Sequence, residues 1–502
     1  MADKSIIVIG AGIAGLSVGC YGQMNGYRTY IFEQGNLPGG LCTSWKHQGY
    51  TIDGCLQWLV GSSPVNNFYR IWEELGAIQD RRIINHEEFL RIEGASGKSF
   101  ILYSDIDRLE QHMKEIAPED KKVIDEFIKE VRICTHFDMP INKVPELYSA
   151  MDGMRMLFKM FPALQVMKKW RKVSVQDFAK RFKNPFLREV FSLLFTSVPD
   201  FPMFFMLMVI AWMHQKSAGY LVGGSLEFAR AIEKRYLRLG GEIHYNSRVA
   251  KILVENDCAV GIRLEDGSEH RADYIISAAD GHQTIFEMLE GKYVNEKIRG
   301  YYDKHPVFPP IIHVALGVAR SFEEMPWVAS GIDFPLEKSV NIGGEERKRL
   351  GVHIYNFDPT LAPPGKSVIK VMLSSDYNYW KLLEKDPVRY QEEKEKIADT
   401  VISILDKRFL GLAAQVEMCD VATPLTFERR TGNWKGSYQG WLVTTKTLGL
   451  RMSKTLPGLK NFYMAGQWVE PGGGIPPAAL SGRNVIQLIC RQDKKSFVTS
   501  VP

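Results

Sequence analysis

The chain has no C-x-x-C pair, no hydrophobic run long enough to cross a bilayer, no internal repeat and little net charge. Its seven cysteines, Cys20, Cys42, Cys55, Cys134, Cys258, Cys419 and Cys490, are scattered and odd in number. That spacing argues against a disulfide framework or a zinc site, and it fits a reducing compartment where thiols serve as small buried hydrophobes. The longest apolar stretch, Phe201 to Met213, spans 13 residues and contains Pro202, against about 20 for a spanning helix. Met1-Ala-Asp-Lys runs straight into Ser5-Ile-Ile-Val-Ile9, so no charged leader with apolar core and cleavage site is expected. The expectation is a cytoplasmic chain, with peripheral membrane contact at most. A net charge of +5 over 502 residues implies no nucleic-acid partner. H-E-x-x-H, P-loop and glycine-framed serine motifs are missing, and no metal site is expected. What remains is an ordinary globular composition, 45% hydrophobic and 24% charged, long enough for two or three interleaved units.

The first fifty-five residues carry the strongest signal. Ser5 to Ile9 reads as a buried strand; Gly10-Ala-Gly12-Ile13-Ala14-Gly15 follows, then a helix to about Met24 stopped by Asn25-Gly26. A second strand, Thr29-Tyr-Ile-Phe32, ends on Glu33. Gly10 suits a tight turn, Gly12 lets a pyrophosphate approach the backbone, and Gly15 lets helix and strand pack closely. The helix start offers free N–H groups to phosphate, and Glu33 suits a ribose diol. A lone glycine turn is a weak signal, but strand, turn, helix, strand and acid in series is a specific one. This motif alone does not choose between dinucleotides. After Gln34 comes Pro38-Gly39-Gly40-Leu41-Cys42, a second turn of bare backbone. Glu33 with this Gly-Gly pair resembles the extended fingerprint of glutathione-reductase-like FAD proteins.

At the other end, Asn461-Phe-Tyr-Met-Ala-Gly466 reads as a short strand after the turn Leu456-Pro-Gly-Leu459. Gln467-Trp-Val-Glu470-Pro471-Gly472-Gly473-Gly474-Ile475-Pro476-Pro477 follows, with a small-residue helix from Ala478 to about Cys490. Prolines favour a first helical turn. A middle block adds Gly223-Gly224-Ser225 before a helix, Gly241 to Val249, and Ala272 to Asp280.

Together with Gly49-Tyr-Thr-Ile-Asp53-Gly54, these blocks resemble the phytoene desaturase, carotenoid isomerase and retinol saturase family of flavoproteins. The resemblance implies an FAD-dependent oxidoreductase. Gly10, Gly12, Ile13, Ala14 and Gly15 would hold phosphate, with Glu33 and Gln34 at the ribose and Gly39, Gly40 and Leu41 beside them. Val249 would meet the adenine end, and Gly466, Gln467, Gly474 and Ile475 the flavin. Two departures stand out: Gln467 where many relatives carry an acid or small residue, and the triple glycine before two prolines. The implied fold class is α/β: a glutathione-reductase-like FAD-binding Rossmann domain interleaved with a mixed-sheet substrate domain and a helical, partly membrane-facing region. The expected division is cofactor domain at 1–104, 216–285 and 456–502, helical region at 105–215 and substrate domain at 286–455. Strands are read near 249–254, 311–318, 352–357 and 367–374, a hairpin at 265–268 and a helix at 386–409.

Ten of the nineteen methionines fall between Met139 and Met213, among Phe201, Phe204, Phe205 and Trp212. They suit either a helical core or an adaptable wall for a long apolar ligand. Within this region, 155–172 holds six basic residues and no acids, interleaved with apolar ones and Trp170. That pattern suits a helix lying on an anionic membrane surface, or a helix half-buried with a solvated basic face.

No second strand-framed GxGxxG occurs, so the electron donor or acceptor comes from outside. The resemblance implies hydride exchange with a carbon of an apolar, lipid-like polyene, giving desaturation, saturation or cis–trans isomerisation. Glu470 is the acid nearest the C-terminal motif and a weak catalytic candidate; His214, His244 and His313 stand isolated. Two other readings stay open. One is a flavin amine oxidase; the other is a non-enzymatic lipid carrier resembling the Rab GDP-dissociation inhibitors, against which the phosphate turn with Glu33 speaks.

Overall fold

A computed structural model describes residues 4–95, 97–450 and 452–502. Met1 to Asp3, where no leader is expected, lie outside the described residues, as do Ser96, Arg451 and the side chain of Lys159.

The first strand, β1 (Ser5–Ile9), is a β-branched run buried on both faces, as a central parallel strand requires. It pairs in parallel with β2 (Arg28–Phe32) on one side and with Tyr274–Ser277 on the other. Glu242–His244 and Phe462–Met464 complete a five-stranded parallel sheet at its two edges. Helix α1 (Ile13–Met24) packs between this sheet, Gly224–Arg238 and the C-terminal helix Ile475–Gln492. The C-terminal helix begins earlier than the expected Ala478, with Pro476 and Pro477 inside its first turn, where their missing N–H groups cost nothing.

A second, seven-stranded sheet runs in the order Val416–Ala422, Ile311–Val318, Ser367–Ser374, Glu345–Ile354, Ile332–Ile342, Glu88–Glu93 and Ser99–Tyr103. It is mixed, because Ile332–Ile342 pairs in parallel with Glu88–Glu93 while the other neighbours are antiparallel. One face buries Ile312, Val314, Leu316, Ile369, Val371 and Leu373 against Ile397, Val401 and Leu405 of helix Pro387–Arg408. The opposite face turns to the cofactor unit.

Two divisions and one strand differ from the sequence expectation. Residues 88–103, expected in the cofactor unit, form the last two strands at one edge of the second sheet and bury Phe89, Ile92, Phe100 and Leu102 in the core of the helical region. Trp441 and Met452, expected in the substrate unit, pack with Ile9 and Val249 in the cofactor core. The strand expected at 352–357 runs instead from Glu345 to Ile354. Both sheets recruit segments far apart in sequence, which local periodicity does not reveal.

Residues 105–215 are helical as read, with Ile106–Ile116, Lys121–Cys134, Ala150–Trp170, Pro185–Leu193 and Met203–His214 as the longer elements. The methionines divide by helix. Met203, Met206, Met208 and Met213 are core residues, whereas Met151 and Met154 are exposed. No described helix is long and apolar enough to cross a membrane.

The helical region is fastened to the C-terminal helix by Arg483, which is 3% exposed. Its Nε donates to Glu74 at 3.3 Å and its Nη1 to the Ile141 carbonyl at 2.7 Å. Glu74 also accepts from Tyr21 and Arg70. Replacing Arg483 by Leu leaves Glu74 with Arg70 and Tyr21 but orphans the Ile141 carbonyl and removes a buried cation, and denaturant unfolding should show a loss of about 1–3 kcal/mol. A double Glu74→Leu, Arg483→Leu variant should recover part of that loss.

Candidate functional site

The Gly10 turn is built as its residue types suggest. Gly10 takes φ +96 and its N–H donates to Phe32. A Cβ on Gly15 would stand 1.9 Å from the Gly10 carbonyl oxygen, so only glycine allows the helix this close. Gly12 is different. It caps α1 with extended backbone, no side chain caps that helix end, and its first turn holds no acid. A Cβ on Gly12 would meet nothing nearer than the Gly39 carbonyl oxygen at 3.9 Å. The space before the N–H groups of Ile13, Ala14 and Gly15 is therefore a cradle of bare backbone, suited to a pyrophosphate. Gly39 and Gly40, at φ +107 and +61, form its other wall; Gly39 donates to the Ala11 carbonyl at 2.8 Å.

Glu33 is 9% exposed at the end of β2. Its carboxylate accepts from the N–H groups of Ala11 and Gly35, each at 2.7 Å, which fixes its orientation and leaves lone pairs for a ribose diol. The N–H of Ser247 donates to the Glu33 carbonyl and carries the strand start at Val249 to the same edge. Val249 itself is buried. Gln34 points elsewhere, its amide donating to the Arg430 carbonyl at 3.1 Å.

The C-terminal segment reaches this cradle from the far side of the sheet. Gly466 lies against Ala14: a Cβ there would stand 3.4 Å from the Ala14 Cβ. Its N–H donates to Ser481 Oγ at 2.7 Å. Gly472, Gly473 and Gly474 all take positive φ, a path that three side chains would strain. Gly474 then caps the helix that Ile475 opens. The Gln467 amide donates to Asn433 Oδ1 at 3.0 Å. Glu470, the catalytic candidate, has its carboxylate 2.9 Å from buried Lys454, which also pairs with Glu146 at 3.0 Å. Its position is that of a clamp between the cofactor loop and the helical region.

Sequence reading missed the polar layer between the two units. Asp53 accepts from Cys55 and Ser225 backbone N–H groups and from the Ser44 and Ser225 hydroxyls. It pins the Gly224 turn, where a Cβ would overlap the carboxylate at 2.4 Å. Lys370 and His313 lie beyond it on the sheet face turned to this unit, buried at 1% and 0% exposure. A charged residue within Val-Ile-Lys-Val-Met was the available signal. Asp280, at the end of the Tyr274–Ser277 strand, accepts from the N–H groups of Gln283 and Trp434. Burial pushes its carboxyl up to about 7, against those two donors.

Cradle, acid and C-terminal glycine path define a flavoprotein oxidoreductase of two interleaved units, with residues that fit an FAD. The sequence profile of the flavin containing amine oxidoreductase family matches residues 13–490. The chain belongs to that family. It is 26% identical over 493 residues to a chloroplastic prolycopene isomerase of Daucus carota, covering 96% of this chain and 79% of the relative. It is 23% identical over 502 residues to a lycopene-forming phytoene desaturase of a Paracoccus strain, covering 97% of each. Among solved structures, an oxidoreductase from Methanosarcina mazei superposes with TM-score 0.61 at 18% identity, covering 96% of this chain and all of that one. A putrescine oxidase triple mutant gives 0.62 at 12% identity, covering 97% and 99%.

Two outcomes follow. Gly12→Ala adds a methyl that the protein itself accommodates, so the apoprotein should unfold within about 0.5 kcal/mol of wild type while FAD affinity falls at least about tenfold. Gly15→Ala should instead damage the fold. Asp280 gives a pH signature. Its proton is held more tightly folded than at the ordinary 3.8, so its contribution to stability is full below about 4 and lost as pH climbs through about 7. Thermal unfolding from pH 5 to 8 should show that decline, and Asp280→Asn should flatten it.

Proposed function

We propose that this FAD-dependent enzyme acts on carbon–carbon bonds of an elongated, apolar, unsaturated substrate by hydride exchange, in the manner suggested by its carotenoid relatives. One observation carries the reading. Leu41, from the second glycine turn of the cofactor cradle, packs against Ile311, Ala422 and Phe427, as do Met372 and Tyr438. The sheet face beside the cofactor is thus an apolar wall, suited to a hydrocarbon chain lying along it. When bound, FAD supplies a two-electron donor or acceptor for hydride. The chain's own part is to hold the phosphates at Gly12 and the ribose at Glu33, to present Gly466, Gln467 and Gly474 to the ring, and to exclude water from the Leu41 wall. Desaturation, saturation and isomerisation share this demand, and the electron partner is external.

The family also contains amine-oxidising enzymes, but a protonated amine on this face would meet the buried Lys370 ammonium. Anaerobic mixing separates the two readings: a conjugated polyene, with reduced or oxidised holoenzyme, should change the flavin absorbance, and putrescine or benzylamine should not. Bleaching by amines with no response to polyenes contradicts the proposal.

A second observation favours peripheral membrane docking. The first half of helix Ala150–Trp170 exposes Met151, Met154, Leu157, Phe158 and Phe161, four of them at 57% or more, with Phe158 at 75%. Exposed Arg155, Lys168, Arg171 and Lys172 accompany them. Beyond Pro162 the same helix is anchored by Ala163, Val166 and Trp170 in the core. An apolar row with flanking cations suits an anionic bilayer surface, from which a water-insoluble substrate is taken. Each phenylalanine inserted is worth about 1.5–3 kcal/mol. Phe158→Ser with Phe161→Ser should therefore lower co-sedimentation with phosphatidylserine vesicles at least about tenfold; undiminished binding contradicts the docking.

A further inference from the structure

Lys370 is the least comfortable residue in the molecule. It sits in the middle of strand Ser367–Ser374, where Ile369, Val371 and Leu373 face the core under helix Pro387–Arg408. Alternation turns Val368, Lys370 and Met372 to the opposite face, toward the cofactor unit. The side chain is 1% exposed. Its Nζ donates one hydrogen bond, 3.2 Å to the backbone carbonyl of Asp53, and lies 5.0 Å over the Tyr355 ring. Among the described residues it makes no ion pair, because the Asp53 carboxylate is occupied by Ser44, Cys55 and Ser225.

Its neighbours are unsatisfied too. His313 is fully buried and neither ring nitrogen has a partner among the described residues. In the sheet register His313 stands opposite Met372, and Ala315 opposite Lys370, so His313 and Lys370 are diagonal neighbours on one face. The Tyr355 hydroxyl, 4% exposed, also lacks a partner. Burial and the nearby ammonium keep His313 neutral, pushed down to about 3, so its ring offers one N–H. Lysine and histidine here both present donors. Lysine is almost never fully buried unpaired; burial pushes the Lys370 ammonium below its ordinary value, and a carboxylate partner would restore the charged form.

We propose that Lys370, with His313, binds the carboxylate end of the substrate. A carboxylate has about four acceptor sites and two oxygens, enough for the ammonium and the imidazole N–H together, and its bonds to Lys370 are charge-assisted. Met372, two residues along the same face, packs against the same Ile311, Ala422 and Phe427 cluster as Leu41 of the cradle. The head-group site is therefore about 7 Å along the strand from where an apolar chain passes the cofactor motif. This inference rests on the apolar unsaturated chain proposed above and narrows it: the substrate is an unsaturated lipid acid, and a pure hydrocarbon leaves the ammonium without an ion pair and His313 without a partner.

The test is binding to the purified holoenzyme. Linoleate below its micelle concentration and methyl linoleate below its solubility limit are titrated while flavin absorbance changes and calorimetric heat are followed. The acid should bind at least about tenfold tighter than the ester. Lys370→Met should bring that ratio near one with the ester's affinity unchanged; since it removes an unpaired buried charge, folding should not suffer. His313→Leu, expected to narrow the ratio in part, serves if the Lys370 variant fails to fold, and the wild-type ratio needs no variant. Equal affinities in wild type, or a ratio that survives in Lys370→Met, overturns the carboxylate site while leaving the apolar chain intact. If neither ligand binds, the apolar-chain reading falls and this one with it.

Discussion

Everything at the cofactor site depends on how closely α1 and the C-terminal helix approach. Gly482 lies where a Cβ would stand 2.7 Å from the Ala14 carbonyl oxygen and 2.8 Å from the Ser17 Cβ. Ser17 Oγ donates to the Ala479 carbonyl at 2.6 Å, so the two helices are also bonded. Glycine on one helix and small residues on the other remove the side-chain layer that normally spaces helices by about 8–10 Å. This contact sets Gly466 against Ala14 and delivers the triple-glycine path to the phosphate turn. The two ends of a 502-residue chain thereby build one site.

The second sheet supplies what the first lacks. A parallel sheet buried on both faces offers a ligand only its strand ends and loops. The seven-stranded sheet offers a broad face, half apolar at Met372 and Ile311, half polar at Lys370 and His313. The Lys454 clamp ties the C-terminal cofactor loop at Glu470 to Glu146, only three residues before the Ser149 cap of the exposed helix. The exposed helix and the cofactor loop are thus joined through short segments.

The Rossmann unit was legible because its signals are local: a glycine turn, its flanking elements and Glu33 all fall within one short stretch. The strands at 311–318 and 367–374 were legible for the same reason. Strands Glu88–Glu93 and Ile332–Ile342 were not, since each carries charges along its length and, besides a local antiparallel partner, is joined to the other across more than two hundred residues. Composition likewise named the methionine-rich region without dividing it: Met206 and Met154 look alike in sequence, yet one is core and the other exposed. His313 looked isolated because its neighbours Lys370 and Trp45 come from other strands. Gln34 and Glu470 were placed by proximity in sequence, whereas their side chains are engaged by Arg430 and Lys454.

The central claim is one dinucleotide site built by both chain ends, and equilibrium titration of the apoprotein tests it most directly. FAD should bind at one per chain with quenching of its fluorescence, and FMN, which lacks the half held by Gly12 and Glu33, should not compete. An apoprotein that takes up no FAD, or that binds FMN equally well, would contradict the account.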